Sequence, residues 1–331
     1  MTALVYVAAF CIVAVLVYMA RYSGRLRVTH TRLIDASLAE VRDRVVDLRR
    51  WRDWNPWLEN EAGAHAVYSS GADGIPSACA WSRAGVDIGR VESLRVREGA
   101  TIEQRVRLWQ PFPFRGRCSW QFIDAQGKTQ ATWRLRGRVA FPMRAFAATV
   151  QGSIALDFRY GLDRLAALVE PAGAPRYSLS RAGVREIAAM RYAYVAHEGP
   201  IQGLGDAIAS AVSTLRTELA RQGVMPIGEP IGVYVKTDIK RRTTVCRFGV
   251  PVDAAEIAGL AMASLPAHRA FVTRLQGSRA QLEVAWYLAM QRLSAEGLQP
   301  DLRIAPFERY LDIANQEDDN NAVTELHIPV R

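Results

Sequence analysis

The sequence predicts an α+β protein, with an N-terminal transmembrane helix followed by two domains that are each built on an antiparallel sheet. Three observations support this fold class. Residues Thr2 to Ala20 contain no charged side chain, strand-like runs fill residues 80–137 ahead of an amphipathic helix, and residues 197–330 contain an internal repeat. A chain of 331 residues is long for one core, and 50% hydrophobic with 23% charged residues is typical of folded proteins.

The uncharged segment Thr2 to Ala20 predicts a transmembrane anchor over residues 1–21. A helix of this length rises about 28 Å at ~1.5 Å per residue, close to the ~30 Å hydrocarbon core of a bilayer. No Lys or Arg precedes Arg21, which argues against a cleavable signal peptide, and a buried core helix is the remaining alternative.

Basic residues directly after this segment predict a single-pass protein of the inner (cytoplasmic) membrane, with its soluble domains in the cytoplasm. Residues 21–170 carry 24 Lys/Arg and 16 Asp/Glu, a net charge of +8 out of +9 for the whole chain. Anionic headgroups would attract such a domain, so the inner membrane lipid surface is an expected partner. Nucleic acid is the alternative partner for a basic domain, but no nucleic-acid-binding motif is legible, so we expect none.

Residues 28–170 predict a sheet with flanking helices, from period-2 and helical spacing of apolar residues. Three tryptophans, Trp51, Trp54 and Trp57, follow the first helix and are interpreted as a packing cluster. The predicted elements are a strand over Val28–Ile34, a helix over Leu38–Leu48, strands over Ala80–Val86, Gly89–Arg97, Ala100–Trp109, Arg117–Ile123 and Thr129–Gly137, and a closing helix over Asp157–Glu170.

This region resembles the START-like (SRPBCC) superfamily of polyketide cyclases/dehydrases and lipid-transport proteins. The motifs that carry the resemblance are Trp51-x-x-Trp54-x-Pro56-Trp57 and Tyr160-Gly161-Leu162-x-x-Leu165. The resemblance implies a helix-grip fold over residues 28–170, in which a curved sheet wraps a long helix and leaves a deep apolar cavity. It therefore implies a hydrophobic ligand, although the tryptophans on the predicted strands are more simply core residues.

A Pro/Ala/Gly linker over residues 171–176 precedes the repeat, which fills a predicted second domain over residues 177–331. Gly199 and Gly277 are 78 positions apart, and Pro230 and Pro306 are 76 apart, which indicates a duplicated unit. Each copy reads strand, helix, strand, strand, and two such βαββ units predict an antiparallel sheet with both helices on one face. The predicted elements are Gly183–Val195, Leu204–Gln222, Ile231–Lys236 and Thr243–Val250, then Ala270–Gln276, Gln281–Glu296, Phe307–Ile313 and Val323–Val330.

The repeat resembles the GyrI-like domain, which is also the effector-binding domain of several multidrug-sensing regulators. The resemblance rests on His197-x-Gly199-Pro200, Pro230-Ile231-Gly232-Val233-Tyr234, Leu265-Pro266-Ala267, Pro306-x-Glu308-x-Tyr310 and Ile328-Pro329-Val330. It implies a small-molecule-binding domain. The chain departs from the family in having Gly277-Ser278 where Gly-Pro usually recurs, and no DNA-binding helices precede the domain.

The candidate site is centred on Glu308, which replaces Gly232 of the first copy. On a strand, Glu308 and Tyr310 share one face and Phe307 shares the other with Arg309. If the Phe307 face packs on the helices, Glu308 points into the groove between the copies. The resemblance implies that Glu308 is a pocket glutamate. The further ligand-binding residues predicted from position are Tyr310 on the same strand face, Tyr234 at the matching position of the first copy and Trp286 on the second helix. A carboxylate among aromatic rings favours an amphipathic cation, whereas the alternative is an Arg-paired glutamate on a solvated sheet face.

The sequence therefore predicts a membrane-anchored, cytoplasmic small-molecule-binding protein that acts in sensing, sequestration or stress resistance. It predicts no catalytic residue, no metal site and no cofactor, because hydrolase, zinc-protease and nucleotide-binding motifs are absent and the four cysteines are scattered. The alternatives are a small-molecule hydrolase or cyclase-like enzyme that uses Glu308 as acid/base, and an interaction scaffold with filled pockets.

Overall fold

The computed structural model has two compact units, Met1–Ala174 and Pro175–Arg331. It describes residue 6 and residues 13–18, 20–59, 65–69, 71, 74–97, 101–110, 113–141, 143–171, 177–238, 241–312 and 322–331. Most of the predicted anchor lies outside these residues, and none of the described helices is long and apolar enough to cross a membrane. The anchor and the domain boundaries therefore stay predictions, since residues 172–176 of the predicted linker also lie outside the described residues.

The first unit is a seven-stranded antiparallel sheet with one long helix. Its elements are β1 (Arg25–Ile34), α1 (Leu38–Val46), α2 (Pro56–Glu59), β2 (His65–Tyr68), β3 (Ala78–Arg83), β4 (Val86–Arg97), β5 (Thr101–Leu108), β6 (Phe114–Ala125), β7 (Lys128–Val139) and α3 (Ala147–Val169), with short 3₁₀ turns at Leu48–Asp53 and Met143–Phe146. The strand order is β1-β7-β6-β5-β4-β3-β2. The predicted strands are present, and α3 begins at Ala147 rather than at the predicted Asp157.

Alternating burial along the strands gives this sheet one apolar and one exposed face. On β5, every second residue from Ile102 to Leu108 is buried, while Glu103, Arg105 and Arg107 between them are exposed, as period-2 patterning requires. The helix α3 covers the apolar face, and Arg32 of β1 forms an ion pair with Asp163 of α3. This arrangement is the expected helix-grip pattern.

The second unit is an eight-stranded antiparallel sheet with two helices. Its elements are β8 (Ser178–Ile187), β9 (Met190–Pro200), α4 (Leu204–Arg221), β10 (Ile231–Asp238), β11 (Thr243–Pro251), β12 (Ala261–Leu265), β13 (His268–Gln276), α5 (Leu282–Ala295), β14 (Phe307–Tyr310) and β15 (Val323–Pro329), with a 3₁₀ turn at Arg279–Gln281 before α5. The strand order is β12-β9-β11-β10-β14-β15-β13-β8. The two copies therefore meet at β10 and β14, in the middle of the sheet.

The two copies exchange their first strands. The prediction of one strand over Gly183–Val195 is wrong, because the chain forms two strands, β8 and β9, on either side of residues 188–189. Strand β8 crosses to pair with β13 of the second copy, and β12 pairs with β9 of the first. Each copy is thus a ββαββ unit whose leading strand completes the other copy.

The sheet of the second unit has a core on each face. Buried residues of both helices share one core with Tyr310, Phe248 and Leu326. Phe307, Ile231 and Val233 belong to a separate core on the opposite face. Both helices therefore lie on one side of the sheet, as the sequence predicts, although the other side is also buried.

Candidate functional site

Glu308 lies where the two copies meet. On the neighbouring strands β10 and β14, Gly232 and Glu308 are direct cross-strand partners. The residue pair that distinguishes the two copies in sequence is therefore adjacent in space. The single carboxylate occupies the position where a symmetric pair would place two, and like charges so close would repel.

Three side-chain donors converge on the Glu308 carboxylate. Trp286 Nε1 donates to Oε1 at 2.5 Å and Tyr234 Oη donates to the same oxygen at 2.8 Å. Tyr310 Oη donates to Oε2 at 2.8 Å. The four residues that the sequence predicts as the site are thus one hydrogen-bonded cluster, contributed by β10, α5 and β14.

The predicted orientation of this cluster is wrong in one respect. The face of β14 that carries Glu308 and Tyr310 is the face that the helices cover, since Trp286 belongs to α5 and Tyr310 to the helix-side core. Phe307 faces away from the helices. Glu308 is therefore enclosed between sheet and helices and is 0% exposed, so the alternative of a solvated sheet-face glutamate is wrong as well.

Burial raises the pKa of the Glu308 carboxyl, because desolvation penalises the charged form. Hydrogen bonds from Trp286, Tyr234 and Tyr310 act in the opposite direction, as does the positive charge of Arg279. The pKa values of the Tyr234 and Tyr310 hydroxyls are raised well above 10, first by burial and then by the Glu308 charge. Both tyrosines therefore remain protonated donors at neutral pH.

Small residues and aromatic rings shape the space around the carboxylate. A Cβ on Gly232 would lie 2.2 Å from Tyr310 Oη, so only glycine leaves room for that hydroxyl. Tyr234 and Trp286 are half-buried and pack edge to face, with ring centroids 5.5 Å apart. This pair lies on the more accessible side of the cluster, whereas Tyr310 is fully buried.

Arg279 is a neighbour of the site that the sequence did not suggest. Its guanidinium carbon lies 5.9 Å from the centre of the Tyr310 ring, and it forms an ion pair with Asp312 at 3.6 Å. It comes from the turn after Gly277-Ser278, where the chain departs from the repeat. The change from Gly-Pro to Gly-Ser at this turn was the sequence feature that could have drawn attention to Arg279.

The interior of the first unit is filled by aromatic rings. Trp133 stacks on Phe158 with centroids 3.8 Å apart and on Trp120 at 4.5 Å, and Trp54 packs edge-on against both indoles. Trp57 Nε1 donates to the buried Asp157 at 3.0 Å. These tryptophans are thus core residues, in line with their interpretation from the sequence.

Comparisons with known proteins agree with this order of folds. Residues 25–170 match the family described as polyketide cyclase / dehydrase and lipid transport, and residues 183–331 match the family described as GyrI-like small molecule binding domain. The recognition of a START-like domain followed by a GyrI-like domain is therefore confirmed. No curated protein matches the chain.

Solved structures with a similar fold share little sequence with this chain. The EcmrR C-terminal domain is 18% identical over 47% of this chain and 98% of its own, with a TM-score of 0.40. Protein CV1439 from Chromobacterium violaceum is 17% identical over 44% and 97%, with a TM-score of 0.34. SAV2435 bound to tetraphenylphosphonium is 15% identical over 47% and 94%, with a TM-score of 0.34. These values are too low to assign a function.

Proposed function

We propose that this START-like and GyrI-like protein is a small-molecule-binding protein whose second unit holds a lipophilic cation against Glu308. The carrying observation is a carboxylate that is 0% exposed and surrounded by the rings of Tyr234, Trp286 and Tyr310. In this proposal the protein senses or sequesters such molecules.

Charge selectivity follows from the electrostatics of burial. An ionised carboxylate removed from water is costly unless it is hydrogen-bonded and paired with a cation. Three donors satisfy the hydrogen bonds of Glu308, but its pKa is still raised, so the charged form lacks full compensation. A bound cation would supply it, and the surrounding aromatic faces would add cation–π attraction.

The two carboxylate oxygens differ in how a ligand could reach them. Oε1 is held by Trp286 and Tyr234, the half-buried pair, whereas Oε2 is held by the fully buried Tyr310. We therefore expect a ligand to displace Trp286 and Tyr234 from Oε1 and to leave the Tyr310 bond intact. In this mechanism, Trp286 and Tyr234 exchange hydrogen bonding for ring contact with the ligand.

The ligand proposal is limited to the second unit. In the first unit, the rings of Trp120, Trp133 and Phe158 stack on one another in the core. The hydrophobic ligand that the START-like resemblance implies for that unit stays a prediction.

Calorimetric titration with tetraphenylphosphonium and with neutral triphenylphosphine oxide tests the proposal. Glu308→Gln should weaken binding of the cation at least about 30-fold, the equivalent of about 2 kcal/mol for an unpaired buried charge, and leave the neutral probe unchanged. Glu218→Gln is the matched control, because it removes a carboxylate of the same unit that lies on α4 and pairs with Arg221. Equal loss of both probes in Glu308→Gln would contradict the charge mechanism, and no binding to wild type would contradict the ligand class.

A further inference from the structure

Arginines form two cross-strand rows on the exposed face of the first sheet. In one row, Arg25, Arg138, Arg115, Arg107 and Arg90 are successive cross-strand partners on β1, β7, β6, β5 and β4. In the other row, Arg27, Arg136, Arg117 and Arg105 are partners in the same way, and Glu92 ends it. All nine arginines are exposed. We call this surface the arginine face.

Few carboxylates neutralise the arginine face. Glu92 pairs with Arg90 at 2.8 Å and with Arg105 at 3.1 Å. Within the part of the chain that the structure describes, the other seven arginines form no ion pair. At the usual strand spacing and rise, the backbones of neighbouring arginines in a row are about 4.8 Å apart and the backbones of the two rows are about 6.8 Å apart. Both spacings are shorter than the ~8 Å Debye length at physiological salt, so salt screens the repulsion between these charges only in part.

Such an arrangement is unfavourable in a free protein. Like charges directly opposite on antiparallel strands destabilise a sheet, and solvated faces usually mix both signs. Alternation of exposed and buried residues explains why these positions are polar, but not why nine of the ten positions in the two rows are arginine. The nine arginines and Glu92 give a net charge of +8, as large as the net charge of residues 21–170.

The arginine face also contains an open groove. It has a volume of about 490 Å³ and is lined by Arg25, Arg27, Arg105, Arg115, Arg117, Arg136 and Arg138. Gly116 and Gly137 lie opposite each other beneath it, and a Cβ on either would come within 2.7 Å of a carbonyl oxygen on the neighbouring strand. Guanidinium groups that converge on one groove can bind the oxygens of phosphate groups in bidentate fashion.

We propose that the arginine face docks on an anionic phospholipid surface. It is two-dimensional, with five strands and two rows, and so matches a plane of headgroups better than a single phosphate chain. Arg25 follows Ala20, the end of the uncharged N-terminal segment, by only a few residues, so an anchored chain would hold β1 close to the headgroups. Trp109 lies on the same face of the sheet as Arg107, whose guanidinium carbon is 5.0 Å from the centre of the indole ring. The arginine therefore already covers a ring on which a nucleic-acid base would otherwise stack. This proposal is independent of the Glu308 site.

Arginine-specific labelling of the full chain tests the proposal. The protein is reconstituted in nanodiscs of phosphatidylcholine alone or of phosphatidylcholine mixed with phosphatidylglycerol, and phenylglyoxal modification is read by peptide mass spectrometry. Phosphatidylglycerol should slow labelling of Arg115, Arg117 and Arg136 at least about fivefold, since each arginine gains an attraction of this order near anionic lipid. Arg241 of the second unit, whose side chain is 85% exposed, is the internal control and should not change.

A paired variant distinguishes a docking role from a structural one. Arg115→Gln with Arg136→Gln should reduce the phosphatidylglycerol effect on the remaining arginines, because two of the nine positive charges are lost. It should raise or leave unchanged the urea midpoint, because repulsion is relieved. Equal labelling in both nanodiscs would overturn the proposal. Protection by a single-stranded oligonucleotide without protection by phosphatidylglycerol would overturn it in favour of a nucleic-acid surface. A large fall in the urea midpoint would mean that the arginines stabilise the sheet instead.

Discussion

The two units bury aromatic side chains for different purposes. In the first unit, Trp133 stacks on Trp120 and on Phe158 within the hydrophobic core. In the second, the polar hydrogens of Trp286, Tyr234 and Tyr310 all point at one carboxylate. The same residue types therefore form an apolar ring stack in one unit and a set of hydrogen-bond donors around a buried carboxylate in the other.

Aromatic content alone therefore does not identify a ligand site. Indoles and phenol rings bury large areas wherever they lie, so their presence in a sequence does not distinguish a packed core from a ligand-binding pocket. The buried charge is what distinguishes them. A protein that keeps Glu308 at 0% exposure carries a desolvation cost that a hydrophobic residue would avoid, and a cationic ligand would offset that cost.

The largest expected effect tests the filled core. Trp133→Ala should lower the free energy of unfolding of the first unit by about 3–5 kcal/mol, because it empties the middle of a ring stack. Urea denaturation followed by circular dichroism measures it. Trp109→Ala is the control, since Trp109 is only half-buried, and should cost less than about 1 kcal/mol. A similarly small loss for Trp133→Ala would mean that the interior is loosely filled and could still admit a ligand.

An intermediate effect is expected where the two copies meet. Gly232→Ala places a Cβ 2.2 Å from Tyr310 Oη, so either the hydroxyl leaves Glu308 or the strands separate. The second unit should lose about 1–3 kcal/mol, the usual cost of overpacking a core. Gly205→Ala, in α4 with nothing within 4 Å, should instead stabilise the unit slightly. Thermal unfolding of both variants measures the contrast, and a neutral Gly232→Ala would show that Tyr310 is free to move.

The smallest effect is a pH dependence that should be confined to the second unit. The pKa of Glu308 is raised above 4.5 in the folded state, so the native protein binds more protons than the unfolded chain. This contribution to stability is complete below about pH 4.5 and is lost as the pH rises through the folded pKa, by at most about 1.4 kcal/mol per pH unit. The amide side chain of the Glu308→Gln variant does not titrate, so the variant does not lose this contribution. The difference in unfolding free energy between the variant and wild type should therefore shift in favour of the variant as the pH rises. Urea titrations at a series of pH values measure the difference, and a constant offset would contradict a raised pKa.

Much of the fold follows from local sequence patterns. Predicted and observed bounds of α4 differ by one residue, and β7 was placed within two residues at each end. The exchange of β8 and β12 was not predicted, because alternation identifies a strand but not its partner. The residue pattern predicts extended structure over all of residues 183–195. No residue in that segment indicates that the strand breaks at Ala188 or that its first part pairs with the second copy.

The site was predicted in composition but not in orientation. The asymmetry of the repeat led to Glu308, and the matching positions led to Tyr234 and Tyr310. The alternation of residues along β14 could not show which face of the strand the helices cover, because Phe307 and Glu308 on opposite faces are both 0% exposed. A central strand covered on both faces carries no polar face to orient it.

Strand exchange makes the halves of the second unit mutually dependent for folding. A fragment ending before β12 would leave β9 without its outer neighbour and β8 without a partner, two open edges that invite pairing with another chain. Such a fragment would be expected to form a homodimer by domain swapping, with a second copy supplying the missing strands. In such a homodimer both copies would carry the same residue at the position of Gly232 and Glu308, whereas two copies within one polypeptide can place glycine opposite a carboxylate.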